Sequence, residues 1–442
     1  MAKQTGRLLH WNIYETHLDE AAFRWTQWAQ ALDAPDFTLA DVAELEEQFS
    51  AHVDGLVLGH EPVARRLLEP ALASEEPERI ATAALALLRS EEPFGAAAVL
   101  AALPSAQPPA LPALQRALEL APPSANFAGL PPLLKQEDSS PELLSLVLDV
   151  LGAHGLATAD LCLPFAAHAD PMVAAAGLRA ASHGKLPIAP AVIQRALDSA
   201  TRPLRDAAIV AGLQGGHRGA WAACQAAAEP NGPGGRLPLL LLAMNGDERD
   251  LKLLLERLSG EKSRPDALWA LGFSGRVAAA DACVEHMRHK PTAALAGESF
   301  SAITGLSIEA DFAVPKEEAE EELAPLEDED LDADLHPKPE DALPIPHPEK
   351  VMAWWHDLRP RLDAKQRYLA GTPLTPQALL EALMSVSMRR RHALALELAL
   401  RSRGAIQVPT RRWVATQLRA WSEARTAPAS LYSRPFAEGL RG

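Results

Sequence analysis

Proline punctuates this chain at a near-constant interval, and that spacing narrows what it can fold into. Pro77, Pro109, Pro141, Pro171, Pro203, Pro238, Pro265 and Pro291 are separated by 32, 32, 30, 32, 35, 27 and 26 residues. After each comes an apolar stretch of helical period, often closed by glycine. Pro171 leads through Val173, Leu178 and Ala181 to Gly184, and Pro265 leads through Leu268, Trp269 and Leu271 to Gly272 and Gly275. Proline is tolerated in a first helical turn, where its missing N–H has no partner anyway. Glycine supplies the left-handed position past the last turn. Ser140, Asp170 and Ser263 stand where a side-chain oxygen can cap a helix start. A helix this short cannot bury its own apolar stripe, whereas stacked units of about 30 residues bury a continuous core. The expectation is an all-α chain whose middle, residues 75–311, is an α-solenoid.

Ala and Leu carry most of the 48 % apolar share, and the alternating Val, Ile and Thr runs of sheets are scarce. The longest apolar run, residues 237–244, is far short of the ~20 residues a bilayer needs. The first twenty residues mix Lys3, Arg7, Glu15, Asp19 and Glu20 with no apolar centre, which predicts no signal peptide and a cytoplasmic location. Cys162, Cys224 and Cys283 fit neither a disulfide framework nor a zinc pattern and read as buried, reduced thiols.

The net charge of −16 is segmented. Residues 1–300 carry −12, residues 301–350 carry −13 and residues 351–442 carry +9. Four parts are expected: an N-terminal helical cap at 1–74, the repeats at 75–311, an acidic Pro-rich disordered linker at 312–348, and a small basic C-terminal helical domain at 349–442. Dense like charge with few apolar groups cannot offset chain entropy, hence the disorder. Helices are expected over 351–369, 376–400 and 410–424. An acidic body is a poor nucleic-acid surface, and only the C-terminal part has the sign for an anionic partner.

Few residues invite chemistry. There is no phosphate loop and no nucleophile elbow, and residues 231–235 read as a loop between helices. A di-iron centre held by His-Glu pairs lacks its ligands, since only His60-Glu61 occurs. His17, Asp19, His52 and Asp54 could supply a zinc or iron site if the first helices pair. However, His-x-Asp puts its two side chains about 200° apart on a helix. The expectation is therefore no catalytic residue, no cofactor and no metal. Arg389, Arg390, Arg391 and His392 form the one candidate partner-binding patch. Two readings of it stand open: contact with an anionic partner, or a solvated face that pairs with the acidic linker.

Residues 170–181 and 202–208 resemble the second-helix consensus of HEAT-like repeats. Residues 15–23, 39–45, 51–56, 300–305, 367–371 and 389–399 resemble, in order and spacing, an uncharacterised family of conserved proteobacterial proteins abundant in myxobacteria. That family carries HEAT-like repeats and has no assigned reaction, so no functional residue transfers from it. The function expected from the solenoid itself is a non-catalytic protein–protein scaffold or adaptor that uses its concave face, with a partner of unknown identity; the family resemblance adds only a secretion-associated context. The readings held against it are a metal- or cofactor-dependent enzyme on the same repeats, and nucleic-acid binding through the basic C-terminal part.

Overall fold

The computed structural model describes residues 9–90, 92–122, 125, 127–315 and 338–440. Helix makes up 68 % of the structure, and among the described residues the only strands are the two-residue antiparallel pair Tyr368–Leu369 and Thr372–Pro373. The fold is all-α, as the Ala- and Leu-rich sequence requires. Among the described residues no helix is long and apolar enough to cross a membrane.

Each of the eight punctuating prolines stands in the first turn of a helix or just before it. The principal helices are α1 (Trp11–Ala31), α2 (Leu39–Val57), α3 (Pro77–Arg89), α4 (Ala110–Leu120), α5 (Pro141–Ala153) and α6 (Pro171–His183). They continue with α7 (Arg236–Asn245), α8 (Arg264–Ser274), α9 (Ala293–Thr304), α10 (Pro348–Leu358), α11 (Pro376–Ser385), α12 (Met388–Arg401) and α13 (Val414–Thr426). Ser140 Oγ accepts from Leu143 N at 3.2 Å, and Asp170 Oδ1 accepts from Met172 N at 2.8 Å, so both caps form as expected. Ser263 does not cap α8; its hydroxyl donates to Arg257 O instead, at 2.7 Å.

The described residues form two compact units. The first takes those within Met1–Leu32, Leu39–Ala211 and Pro409–Arg419; the second takes Asp33–Thr38, Gly212–Val408 and Ala420–Gly442. In the first, α1 packs on α2 and α3, and α3, α4, α5 and α6 stack in sequence, with shorter helices between them in the chain. Residues Ile80 to Leu88 of α3 are all buried, so the stacked helices are covered nearly all round. In the second unit α7, α8 and α9 stack in the same way. Residues 349–442 are thus shared between the units rather than forming a body of their own.

Three expectations are corrected by the backbone. The helix expected over 351–369 ends at Leu358, because Pro360 follows and ends the α-helix in a 3-10 turn, Arg359–Arg361. The helix expected over 376–400 is broken at Val386 and Ser387, which are extended, so the arginine run opens a new helix. Most of the acidic stretch, 316–337, lies outside the described residues, but its flanks are ordered. Val314 N donates to Ile345 O at 2.8 Å and His347 N donates to Phe312 O at 2.7 Å. The turn after the short strand Tyr368–Leu369 closes the end of α9: Ala370 N donates to Ala302 O and Gly371 N to Ile303 O, at 2.8 and 2.9 Å. Gly305 and Gly371 sit at φ 78°, and a Cβ on Gly305 would lie 2.7 Å from Ala370 O. Two of the segments that carry the family resemblance therefore meet here.

Candidate functional site

The last turn of any helix leaves carbonyls without intrahelical partners. In the first unit the ends of α4 and α5 are closed by residues 411–413, through bonds that span 293 and 259 positions of the chain. Trp413 Nε1 donates to Leu120 O at 2.8 Å, and Arg412 Nη1 donates to Ala153 O at 2.7 Å. Arg116 donates in return to Arg411 O. His154 caps α4 as well, its Nε2 lying 2.7 Å from Leu118 O. Burial and the neighbouring Arg412 charge hold its imidazole below the ordinary histidine value, against the Leu118 hydrogen bond, so at neutral pH it is uncharged. The Nε2–H is then the donor, and Nδ1 is left as an acceptor.

The indole of Trp413 completes an aromatic cluster set up by helical spacing. Trp25 and Trp28 lie one turn apart on the buried face of α1, and Phe49 faces them from α2. Ring centroids are 4.9 Å apart for Trp28 and Trp413, and 5.8 Å apart for the stacked Phe49 and Trp413. The Arg89 guanidinium stands 5.4 Å over the same indole. Beside this cluster opens a cleft of about 770 Å³. Its floor is apolar, including Leu120, Phe127, Leu151 and Leu161, while Arg89, Arg412 and Arg419 supply its charge. No carboxylate is among its described lining residues. Asp54 lies 3.6 Å from Arg89, the Glu119 carboxylate that pairs with Arg116 also bears on Arg412, and the helix ends offset part of the rest at roughly half a charge each, so the excess rests chiefly on Arg419. Arg412 Nε is buried without an acceptor among the described residues, and Arg419 is exposed.

Glu46, next to Trp28, ties α2 to the start of α13. Both its oxygens accept from Val414 N, at 3.1 and 2.8 Å, and Oε1 also accepts from Trp28 Nε1 at 3.0 Å. Burial pushes its carboxyl up to about 7, against those hydrogen bonds and the Arg89 charge. The folded protein therefore holds this proton more tightly than the unfolded chain does. The associated stability is complete below the ordinary value of 4.5, shrinks as pH rises from there to about 7, and is absent above. Glu46→Gln removes the titration, so its melting free energy relative to wild type should rise by about 2 kcal/mol between pH 5.5 and pH 8. Paired thermal denaturation at the two pH values measures this; a constant difference contradicts it.

The histidines singled out in the sequence do meet, but their carboxylates do not join them. His17 Nδ1 lies 3.2 Å from His52 Nδ1, with the rings edge to face. Gly55 makes room for this, since a Cβ there would lie 2.9 Å from His17 Nε2. Asp19 turns to Arg79 and Asp54 to Arg89, both on α3. Among the described residues no group of three or more His, Cys, Asp or Glu side chains is placed to hold a metal ion. The three cysteines are buried thiols, and burial pushes Cys283 up to about 12.

The arginine run is placed inside the second unit rather than on its surface. Arg389 and Arg390 are 6 % exposed and Arg391 is 0 % exposed. Arg389 pairs with Glu298 at 3.1 Å and with Glu340 at 2.8 Å, and its guanidinium stacks 4.4 Å over Trp269. Arg390 Nη2 donates to Gly272 O at 3.0 Å, and burial draws its pKa down to about 10. Arg391 Nε donates to Leu383 O at 2.5 Å. His392 Nε2 lies 3.5 Å from Asp33. Backbone N–H groups at the start of α12 are taken by carbonyls of the second unit, Met388 N by Phe37 O and Arg389 N by Ala34 O. A surface patch for an outside partner is therefore not what these four side chains form. Of the two open readings, pairing within the chain describes Arg389, since Glu340 belongs to the ordered flank of the acidic stretch.

No family model matches this sequence, and no curated protein matches it. Among solved structures the chain is similar to human deoxyhypusine hydroxylase in complex with glycerol, at 15 % identity, with a TM-score of 0.23. That match covers 64 % of this chain and 97 % of the other. The superposition is too loose to carry fold or chemistry across.

Proposed function

We propose that this chain is a non-catalytic scaffold or adaptor that binds a partner protein. Its cleft beside Trp413 takes an acidic segment of that partner, with one large apolar side chain seated in it. The observation that carries this reading is the mismatch in the cleft between charge supplied and charge met. Among the described residues Arg419 has no partner, the buried Arg412 Nε has no acceptor, and no carboxylate lines the apolar floor. A ligand of the opposite sign, with an apolar anchor, answers both features. The volume of about 770 Å³ suits a few side chains rather than a whole helix. A cytoplasmic location and kinship with the uncharacterised proteobacterial family belong to the same proposal.

Fluorescence anisotropy with two labelled peptides tests it, one alternating Asp or Glu with Leu and Phe, the other with Lys in place of the acids. The acidic peptide is expected to bind and to weaken as salt rises. Arg419→Glu should weaken it by about tenfold, as expected of a rim charge reversed against its ligand. Equal binding of the two peptides, or indifference to Arg419→Glu, contradicts the proposal.

A further inference from the structure

The second unit holds a smaller cavity, of about 300 Å³, whose charge is almost wholly of one sign. Arg276, Lys365, Arg367 and Arg401 line it, together with Thr375 at the start of α11 and Ser433. The position of each cation follows from the local fold. Arg367 is spent on structure: Nε and Nη2 donate to Ser274 O and Phe273 O at 2.8 and 2.9 Å, capping α8, and Nη1 faces Glu397 at 3.4 Å. Arg401 gives Nε and Nη2 to the same Glu397 oxygen at 2.9 and 2.6 Å. Its Nη1 has no partner among the described residues, although the side chain is only 8 % exposed and lies on the cavity wall. Arg276 gives Nη1 to Lys365 O at 2.9 Å, and its Nη2 and Nε have no partner among the described residues. Lys365 is exposed, at the mouth.

Among the described residues three carboxylates lie near this group: Glu397, Glu248, and Asp363, whose Oδ1 accepts from Lys365 N at 2.9 Å. Glu397 is 1 % exposed and sits behind the arginines, where it neutralises one of four charges. Glu248 lies 4.0 Å from Arg276 and is 80 % exposed, too far and too solvated to neutralise another. Three positive charges therefore converge on a space large enough for a tetrahedral oxyanion and a few attached atoms. One of the three is an arginine held nine-tenths buried with a free N–H edge. A buried guanidinium with an unused edge is the arrangement that recognises phosphate-class anions, because its planar fork matches their oxygens.

We propose that this cavity is a binding site for a phosphate-class dianion, either free phosphate or the phosphoryl group of a small monoester. Arg401 and Arg276 grip the oxygens, and Lys365 closes the mouth. The site is independent of the peptide cleft, so either can fail without the other.

Isothermal titration of the full-length protein in phosphate-free buffer tests it, with inorganic phosphate, O-phosphoserine and sodium chloride as titrants. Saturable one-to-one binding of phosphate or phosphoserine below about 1 mM is expected, and chloride should give none. A tighter phosphoserine constant assigns the site to monoesters, and equal constants assign it to the free ion. Lys365→Glu, at an exposed position, should weaken binding at least tenfold, and Arg276→Gln should do likewise. Arg401→Gln should abolish binding, but it also loosens Glu397, so the first two variants carry the decision if it fails to fold. No saturation by 10 mM, or binding unchanged in both Lys365→Glu and Arg276→Gln, overturns the proposal.

Discussion

Glu397→Ala is expected to be among the most destabilising single substitutions in the second unit, at about 3–5 kcal/mol. The carboxylate is 1 % exposed and lies between Arg367 and Arg401, whose side chains are 17 % and 8 % exposed. Removing it leaves two cations facing each other in a poorly solvated space, with no acceptor for three of their N–H groups. The strain then reaches α8, because Arg367 is the side chain that closes its last carbonyls at Phe273 and Ser274. A paired replacement separates charge from packing: Glu397→Met with Arg401→Met restores the original net charge, leaves Arg367 held by the two α8 carbonyls, and should recover part of the loss. Urea denaturation followed by calorimetry and circular dichroism measures both variants. A loss below about 1 kcal/mol for Glu397→Ala, or a double variant worse than the single one, contradicts this account.

Trp413→Ala carries the second large effect, in the first unit. The indole stacks on Trp28 and Phe49, receives the Arg89 cation and donates to Leu120 O. Truncating a packed tryptophan costs about 3–5 kcal/mol, and here the loss also frees the end of α4. Hydrogen exchange followed by mass spectrometry should show amides in residues 409–419 exchanging about a hundredfold faster, with a smaller change around 116–121. Trp413→Phe keeps the stacking and loses only the hydrogen bond, so it should retain most of the protection. Unchanged exchange in Trp413→Ala contradicts the role assigned to this segment.

The parts of the fold legible in the sequence are those governed by neighbours in the chain. Proline at a first turn and an acidic or hydroxyl cap before it act over three or four residues. Pro141 with Ser140 and Pro171 with Asp170 could therefore be read directly, and both caps form. Ser263 shows the limit of that reasoning: it has the right neighbour in Pro265, yet its hydroxyl finds Arg257 O, an acceptor supplied by the preceding turn. Charge runs proved a poor guide to exposure. Arg389, Arg390 and Arg391 looked like a solvated face, but Glu298 lies 91 positions from Arg389 and Trp269 lies further still. Nothing local announces such partners. The cleft beside Trp413 was wholly out of reach for the same reason, since its decisive hydrogen bonds join residues 259 and 293 positions apart. His17 and His52 lie between these cases: helix pairing brought their rings together, while the His-x-Asp geometry kept Asp19 and Asp54 away, turned to α3.

The central claim is that the Trp413 cleft recognises an acidic segment with an apolar anchor. The most direct measurement selects peptides from a random displayed library on the full-length protein, in parallel with Arg419→Glu, at low and moderate salt. The account predicts enriched sequences that place Asp or Glu beside Leu, Phe or Trp, are shed as salt rises, and are lost in the variant. Enrichment of basic or uncharged sequences, or of the same acidic ones on Arg419→Glu, would contradict it.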